Sequence, residues 1–519
     1  MKHWCVKGFI LLWSLGCGVA VSSQLPPASQ RFHFAEHPGP FAVGLRIVNQ
    51  YDYSRTFLSA VDDLGKPATS ERARPLQTLI WYPAHASSAA RMTVGDYTQL
   101  LATETNFEEP KISSSWQGWI EEMAPTLKDS MWATVGATPA PGHFPVVIYA
   151  PSFGAMSWEN ADLCEYLASH GYLVIASADM GATGRSMTMD LEGIEAQARD
   201  ISFLIGYART LPDADVSEVA VAGFSWGGMA NLFAAARDNR IKALIGLDGS
   251  MRYYAGLIRQ SGYVHPDEMK IPLLYFTQGE ISLENVERNH SRPLNIGPNP
   301  LNQWTHGDLI TVHDLALIHQ EHSSMYQRNE GTWRDFAHEH KADYSRADGI
   351  IGYAWISRYT LHFLDAYLKH DAAALAWLKK TPTENGVPSH LITTEFRPAK
   401  GLPDSNETLR IEAGKQGFDH LASIHAGMQK KRPDFKPSEV FLQDWSTALV
   451  DAGHLPEAIH VLKLTCQLYP ESAEDMESLG DAYVKAGQKQ SAMDAFTKAL
   501  ELDPENDEVQ ERLKELRSL

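Results

Sequence analysis

Short apolar runs recur along residues 30–400 and alternate with longer amphipathic stretches. Because the runs are continuously apolar rather than alternating, they predict strands that are buried on both faces of a sheet. Helical stretches between successive strands favour a mostly parallel sheet covered by helices, which makes this block an α/β domain. The runs lie at 77–82, 146–150, 172–176, 219–222, 243–247, 273–276 and 315–318.

A polar insertion at 84–144 interrupts this alternation and is predicted to cap one end of the sheet. It carries Trp116, Trp119 and Trp132. These aromatic side chains could line a substrate pocket or pack the insertion onto the body, and packing is the favoured interpretation.

Residues 411–519 change to helical periodicity and contain an internal repeat with an offset of 34 residues. The second copy resembles a tetratricopeptide repeat, in which small residues let two helices approach closely. We predict repeats at 439–472 and 473–506, a terminal capping helix at 509–516, and one helix of a weaker preceding unit at 418–433. The matched pairs are Ala448 with Ala482, Gly453 with Gly487, Ala458 with Ala492, Leu468 with Leu502 and Pro470 with Pro504.

Charge excludes one class of partner. The chain has 45 Lys and Arg against 64 Asp and Glu, which gives a net charge of −19. Nucleic-acid phosphates are bound by Lys and Arg, so nucleic acid is not expected as a partner. Residues 437–519 hold 17 acidic and 7 basic side chains. This excess fits either a solvated surface or a groove for a basic or apolar peptide.

The N-terminus has the pattern of an export signal. Lys2 and Lys7 precede an apolar stretch at 8–21, and small residues follow. We predict a signal peptide at 1–23, a secreted or periplasmic protein, and no transmembrane segment after cleavage; an uncleaved anchor is the alternative. Cleavage leaves Cys164 and Cys466 in different predicted domains, so no structural disulfide is expected.

The chemistry is indicated by residues 223–227, Gly-Phe-Ser-Trp-Gly, which fit G-x-S-x-G. They follow the predicted strand 219–222 and precede an apolar helical run, the strand–turn–helix context of a nucleophile elbow. Side chains at Gly223 or Gly227 would collide across the tight turn. Ser225 is the predicted nucleophile, with the N-terminus of the next helix directed at the site.

With this motif, residues 40–370 resemble the α/β-hydrolase superfamily, and most closely secreted serine esterases of the platelet-activating-factor acetylhydrolase and dienelactone-hydrolase type. The stretches that carry the resemblance are 74–83, 145–154 with the Leu-Ala-Ser-His-Gly-Tyr that follows at 167–172, and Arg199-Asp200 ahead of the elbow. The resemblance implies a doubly wound, mostly parallel sheet, followed here by a small all-α repeat domain.

An acyl-transfer oxyanion needs two backbone donors, which by position are the amides of Phe153 and Trp226. The superfamily places a histidine base after its last strand. His322 lies a short loop beyond the predicted strand 315–318 and is the preferred base. His319 is the alternative, and His313 is expected to precede the strand.

The triad also needs an acid. Asp248 ends the predicted strand 243–247 and resembles the platelet-activating-factor acetylhydrolase position, so it is preferred. Glu280 follows the next strand, where many other α/β-hydrolases place their acid, and is the alternative.

The predicted function is hydrolysis of a carboxylic ester through an acyl-enzyme, with a small-molecule or lipid-like ester as substrate and a protein partner for the repeats. No metal or cofactor is expected, since the densest histidine pairs, at 319–322 and 338–340, lack the H-E-x-x-H spacing. One alternative is an inactive hydrolase-fold interaction protein. Another is a serine peptidase of the prolyl-oligopeptidase type, against which stands the lack of a propeller-like repeat before the hydrolase block.

Overall fold

The computed structural model describes residues 31–61, 64–278, 297–329 and 343–518. The chain divides into two compact units, residues 1–400 and 401–519. The predicted signal peptide lies outside the described residues. Within the described ranges, no helix combines the length and the apolar character that crossing a bilayer would require.

The first unit is built on a sheet in which ten described strands pair in the order β10-β9-β8-β7-β6-β4-β5-β2-β1-β3. Strands β4 to β9 pair in parallel, whereas β2 pairs antiparallel with β5 and β10 pairs antiparallel with β9. This topology confirms the predicted mostly parallel sheet. The strands are β1 (Ala42–Thr56), β2 (Ala73–Ala84), β3 (Ala133–Val135), β4 (Phe144–Ala150), β5 (Leu173–Ser177), β6 (Ala214–Phe224), β7 (Ile241–Leu247), β8 (Leu273–Gln278), β9 (Leu309–Asp314) and β10 (Ile392–Arg397).

Two hydrophobic clusters cover the two faces of this sheet, as expected for strands that bury alternate side chains on opposite faces. The helices packed around it are α1 (Val94–Gln99), α2 (Ser114–Glu122), α3 (Ala161–Ser169), α4 (Leu191–Ala208), α5 (Gly227–Ala235), α6 (Ala255–Ser261), α7 (Pro300–Gln303), α8 (Ser324–Arg328), α9 (Arg346–Leu368) and α10 (Ala372–Leu378).

The last predicted strand, at 315–318, is wrong in position. The strand is β9, Leu309–Asp314, whereas 315–318 forms the turn that follows it. Ala316, Leu317 and Ile318 are buried in the core, so their apolar character reports burial and not extended conformation. His313 therefore lies within the strand and does not precede it.

The insertion at 84–144 contains α1, α2 and β3, and β3 adds to the sheet beside β1. Its three tryptophans pack against the core cluster of the first unit. Trp119, for example, lies 5.8 Å from Trp158 between ring centroids. The structure thus shows these side chains in a packing role.

The second unit is helical. Its helices are α11 (Asn406–Gln416), α12 (Leu421–Lys431), α13 (Glu439–Asp451), α14 (Leu455–Leu468), α15 (Ala473–Lys485), α16 (Lys489–Leu502) and α17 (Asp507–Ser518). The pair α13–α14 begins and ends 34 residues before the pair α15–α16. Gly480 allows close approach in the second pair, because a Cβ there would collide with the ring of Phe496. Two further hydrophobic clusters lie wholly within this unit.

Candidate active site

Ser225 occupies a sharp turn between β6 and α5. Its φ is +52°, a left-handed conformation that non-glycine residues adopt at a cost. Two glycines make the turn sterically feasible. A Cβ at Gly223 would collide with the backbone of Gly227, and a Cβ at Gly227 would collide with the carbonyl of Ala150. The geometry is that of a nucleophile elbow at the carboxyl end of a central strand.

Asp248 directly follows β7, the neighbour of β6, and is fully buried. Its φ is also positive, at +42°. Burial by itself would raise the pKa of this carboxyl, but the hydrogen bond and charge of His319, with the nearby His322 and Arg252, lower it below the ordinary value. Asp248 is therefore ionised at neutral pH.

His319 connects the other two side chains. Its Nε2 lies 2.9 Å from Ser225 Oγ, and its Nδ1 lies 2.6 Å from Asp248 Oδ2. Because an ionised carboxylate only accepts hydrogen bonds, Nδ1 donates and Nε2 is left to accept the proton of Ser225. Gln278 accepts the backbone N–H of His319 at 2.9 Å and fixes the turn that carries it. These three side chains form a hydrogen-bonded Ser–His–Asp chain.

The structure brings Ser225 and Asp248 together as expected, but it corrects the histidine. His322 is fully buried, and its Nδ1 faces the carbonyls of Ile318 and His319, each at 3.2 Å. Burial lowers its pKa to about 4. The reason for the error is the strand boundary: β9 ends at Asp314, so the turn that should carry the base comes earlier, at His319.

The two residues that carry the predicted oxyanion donors are in contact through their side chains. The rings of Phe153 and Trp226 meet edge to face with centroids 5.6 Å apart. Among the described residues, neither backbone N–H has a hydrogen-bond acceptor. Two unpaired amides beside the elbow are what an oxyanion hole requires.

Three further predictions concern the alternative acid, a metal site and the cysteines. Glu280, the alternative acid, lies outside the described residues. In the described part of the chain, no three His, Cys, Asp or Glu side chains converge in a way that could hold a metal ion. Cys164 and Cys466 are buried free thiols.

Sequence reasoning missed a buried carboxyl group near the site. Glu159 lies in the loop before α3 and is fully buried beside the turn that carries Phe153. Its only signal in the sequence is a carboxylate within a stretch of otherwise apolar and small residues.

Comparison with known proteins gives the following relatives. Residues 76–385, more than half of the chain, match the family described as X-Pro dipeptidyl-peptidase (S15 family). Residues 473–506 match the tetratricopeptide repeat, which confirms the second predicted repeat.

Two individual proteins are also similar. A Synechocystis sp. protein provisionally named carboxymethylenebutenolidase is 33% identical over 103 residues, which cover 17% of this chain. The chain spans 42% of that protein's length. A structure of a ferulic acid esterase from Streptomyces cinnamoneus has 19% identity and a TM-score of 0.47, covering 70% of this chain and 98% of that one.

Proposed function

This chain belongs to the X-Pro dipeptidyl-peptidase (S15) family and is a hydrolase of the esterase or peptidase type, and we propose that it cleaves a carboxylic ester with Ser225 as nucleophile. The observation that carries the proposal is the pair of hydrogen bonds that His319 makes, 2.9 Å to Ser225 and 2.6 Å to Asp248. This arrangement activates a serine that would otherwise be a weak nucleophile.

In the proposed mechanism, Ser225 Oγ attacks the ester carbonyl while His319 Nε2 takes its proton. Asp248 stabilises the imidazolium and holds its tautomer. The amides of Phe153 and Trp226 donate to the oxyanion of the tetrahedral intermediate. His319 then gives the proton to the leaving alcohol, and an acyl-enzyme remains. Water, deprotonated by His319, hydrolyses the acyl-enzyme and regenerates Ser225.

A peptidase is the second candidate, and the family match favours it. The same triad attacks an amide, so the two candidates differ in the leaving group that the enzyme accepts. Parallel assays with p-nitrophenyl acetate and with an Xaa-Pro-p-nitroanilide separate them. Ester turnover without anilide turnover supports the esterase, and the reverse result supports the peptidase.

The experiment that tests the nucleophile is active-site labelling. A fluorophosphonate probe should label the wild-type protein and fail to label Ser225→Ala. This variant should also lose several orders of magnitude in kcat, because triad members act as a unit. Its melting temperature should stay close to that of the wild type. Full activity in Ser225→Ala would refute Ser225 as the nucleophile. A wild-type protein that neither reacts with the probe nor turns over an ester would leave an interaction protein with a hydrolase fold.

We also propose that the tetratricopeptide unit binds a protein partner and that the chain is exported. The helical pairs at 439–468 and 473–502 and the repeat match support the first part. The basic and apolar pattern of residues 1–23 supports the second. Cell fractionation with N-terminal sequencing of the mature protein tests export.

A further inference from the structure

The backbone around Phe153 forms a tight turn. Ala155 donates its N–H to the carbonyl of Ser152 at 2.9 Å, and Gly154 has a φ of +66°, as the third residue of a type II turn requires. A turn held by one backbone hydrogen bond is not rigid by itself. Its position must come from the groups packed around it.

Two buried carboxylates hold this turn on either side of Phe153. The N–H of Ser152 donates to Glu159 Oε2 at 2.8 Å, and the hydroxyl of Ser152 donates to Glu159 Oε1. The N–H of Gly154 donates to Asp179 Oδ2 at 2.7 Å. The amides before and after Phe153 are thus each bound to a carboxylate, and the amide of Phe153 between them stays available.

Residues 159 and 160 also hold the turn that carries the base. The carbonyl of Glu159 accepts the hydroxyl of Ser323 at 2.8 Å and the N–H of Met325 at 3.2 Å. Asn160 donates to the carbonyl of His322 at 3.0 Å and accepts the N–H of Ser324 at 2.8 Å. One short segment therefore joins the Phe153 turn to the histidine turn.

We propose that Glu159 is a positioning residue that fixes the Phe153 amide in the oxyanion hole and keeps it in register with His319. The proposal rests on the proposed serine-hydrolase function. An oxyanion donor must be held within about 0.5 Å of its productive position, which is about 2.7–3.1 Å from the oxyanion. Glu159 accepts three hydrogen bonds that fix it against the turn, from the Ser152 amide, the Ser152 hydroxyl and, at 3.2 Å, the Tyr149 hydroxyl.

A fully charged carboxylate near the developing oxyanion would destabilise the oxyanion by charge repulsion. Burial raises the pKa of Glu159 to about 7, against the lowering effects of Ser152, Tyr149 and His319. At neutral pH the group is therefore partly protonated. A protonated carboxyl still accepts the Ser152 and Tyr149 donors through its carbonyl oxygen and can donate to the Ser152 hydroxyl, so the anchor persists with less charge.

The test compares Glu159→Leu with Glu165→Leu, because leucine roughly keeps the side-chain volume and removes both acceptor oxygens, which glutamine would not. Glu165 is a matched control, because it lies six residues further along, is also fully buried and also has its pKa raised by burial to about 7. It accepts hydrogen bonds from Trp132 N–H at 2.6 Å and Tyr97 OH at 2.7 Å, away from the Phe153 turn. Any general cost of replacing a buried carboxylate is then common to both variants.

The measurement is kcat/KM for an aryl ester and for the same ester with sulfur in place of the carbonyl oxygen. Sulfur accepts hydrogen bonds weakly, so the preference for oxygen reports the oxyanion donors and not overall folding. Loss of a donor lowers kcat by about 10²–10³-fold, so displacement of a donor should lower kcat by about 10–100-fold. KM should stay within about threefold of the wild-type value. The preference for the oxygen ester should fall by a similar factor, to about 1–10% of its original value.

Glu165→Leu should keep the wild-type preference for oxygen. If Glu159→Leu does not fold, Ser152→Ala removes one of the hydrogen bonds to Glu159 and should lower the preference in the same direction by a smaller factor. An unchanged preference in Glu159→Leu, or in Ser152→Ala where that variant replaces it, would overturn the inference while Ser225→Ala remained inactive. An active Ser225→Ala would instead remove the proposed function on which the inference rests.

Discussion

Replacing Asp248 with asparagine tests the triad most directly, because the volume is kept and only the charge and one acceptor are lost. Asp248 Oδ2 lies 2.6 Å from His319 Nδ1, and the carboxylate is fully buried. If the delocalised charges are about 4 Å apart in an effective dielectric of about 20, their attraction is about 4 kcal/mol, or about 10³ in kcat. An asparagine amide that faces His319 would also favour the wrong tautomer, so we expect a loss of about 10³–10⁴.

The assay is steady-state hydrolysis of p-nitrophenyl acetate, with the melting temperature measured on the same samples. Asp314→Asn is the matched control, because Asp314 is also fully buried at a strand end and accepts the N–H of Ala316 at 3.3 Å. It should keep kcat within about threefold of the wild type. A folded Asp248→Asn that kept kcat within about tenfold would refute the assignment. A large loss in Glu280→Gln together with that result would move the acid to Glu280.

His319, the buried carboxyl of Glu165 and the division of the chain into two units each give a further prediction. His319→Ala should lower kcat by about 10⁴–10⁶, because His319 contacts Ser225. His322→Ala should keep most of kcat and lower Tm, since His322 fills a buried position and does not contact Ser225. The opposite order of kcat values would restore His322 as the base. Burial raises the pKa of Glu165 from 4.5 to about 7, so the folded state holds a proton that the unfolded state has released. The free energy of unfolding therefore falls by about 3 kcal/mol as the pH rises from about 4.5 to about 7. Glu165→Gln should therefore lose less Tm than the wild type between about pH 5 and about pH 8, and an unchanged difference in Tm would show that the group does not titrate there. A chain ending at Lys400 should fold and keep the ester turnover proposed for residues 1–519, because each unit has its own hydrophobic clusters. Gel filtration and an ester assay check this, and insoluble or inactive protein would contradict it.

Part of this protein can be predicted from the sequence because the controlling physics is local. Six of the seven apolar runs lie in strands to within one residue, since continuous apolar character over four to six residues is typical of a buried parallel strand. The elbow is also a local feature, because Gly223 and Gly227 are the residues that a turn without room for Cβ atoms requires. The repeat of 34 residues is a periodicity that a comparison of the sequence with itself reveals.

Only the tertiary structure decided which histidine meets Ser225. The stretch 315–318 is more apolar than the true strand Leu309–Asp314, yet it forms a buried turn, because apolar character reports burial and not backbone conformation. The shift of the strand end brings His319 to Ser225 and leaves His322 in the core. Glu159 depends in the same way on the fold, since its partners Ser152 and Ser323 lie on two loops that are distant in sequence. Contacts between loops that the sheet brings together are set by packing across the whole unit, and no local pattern encodes them.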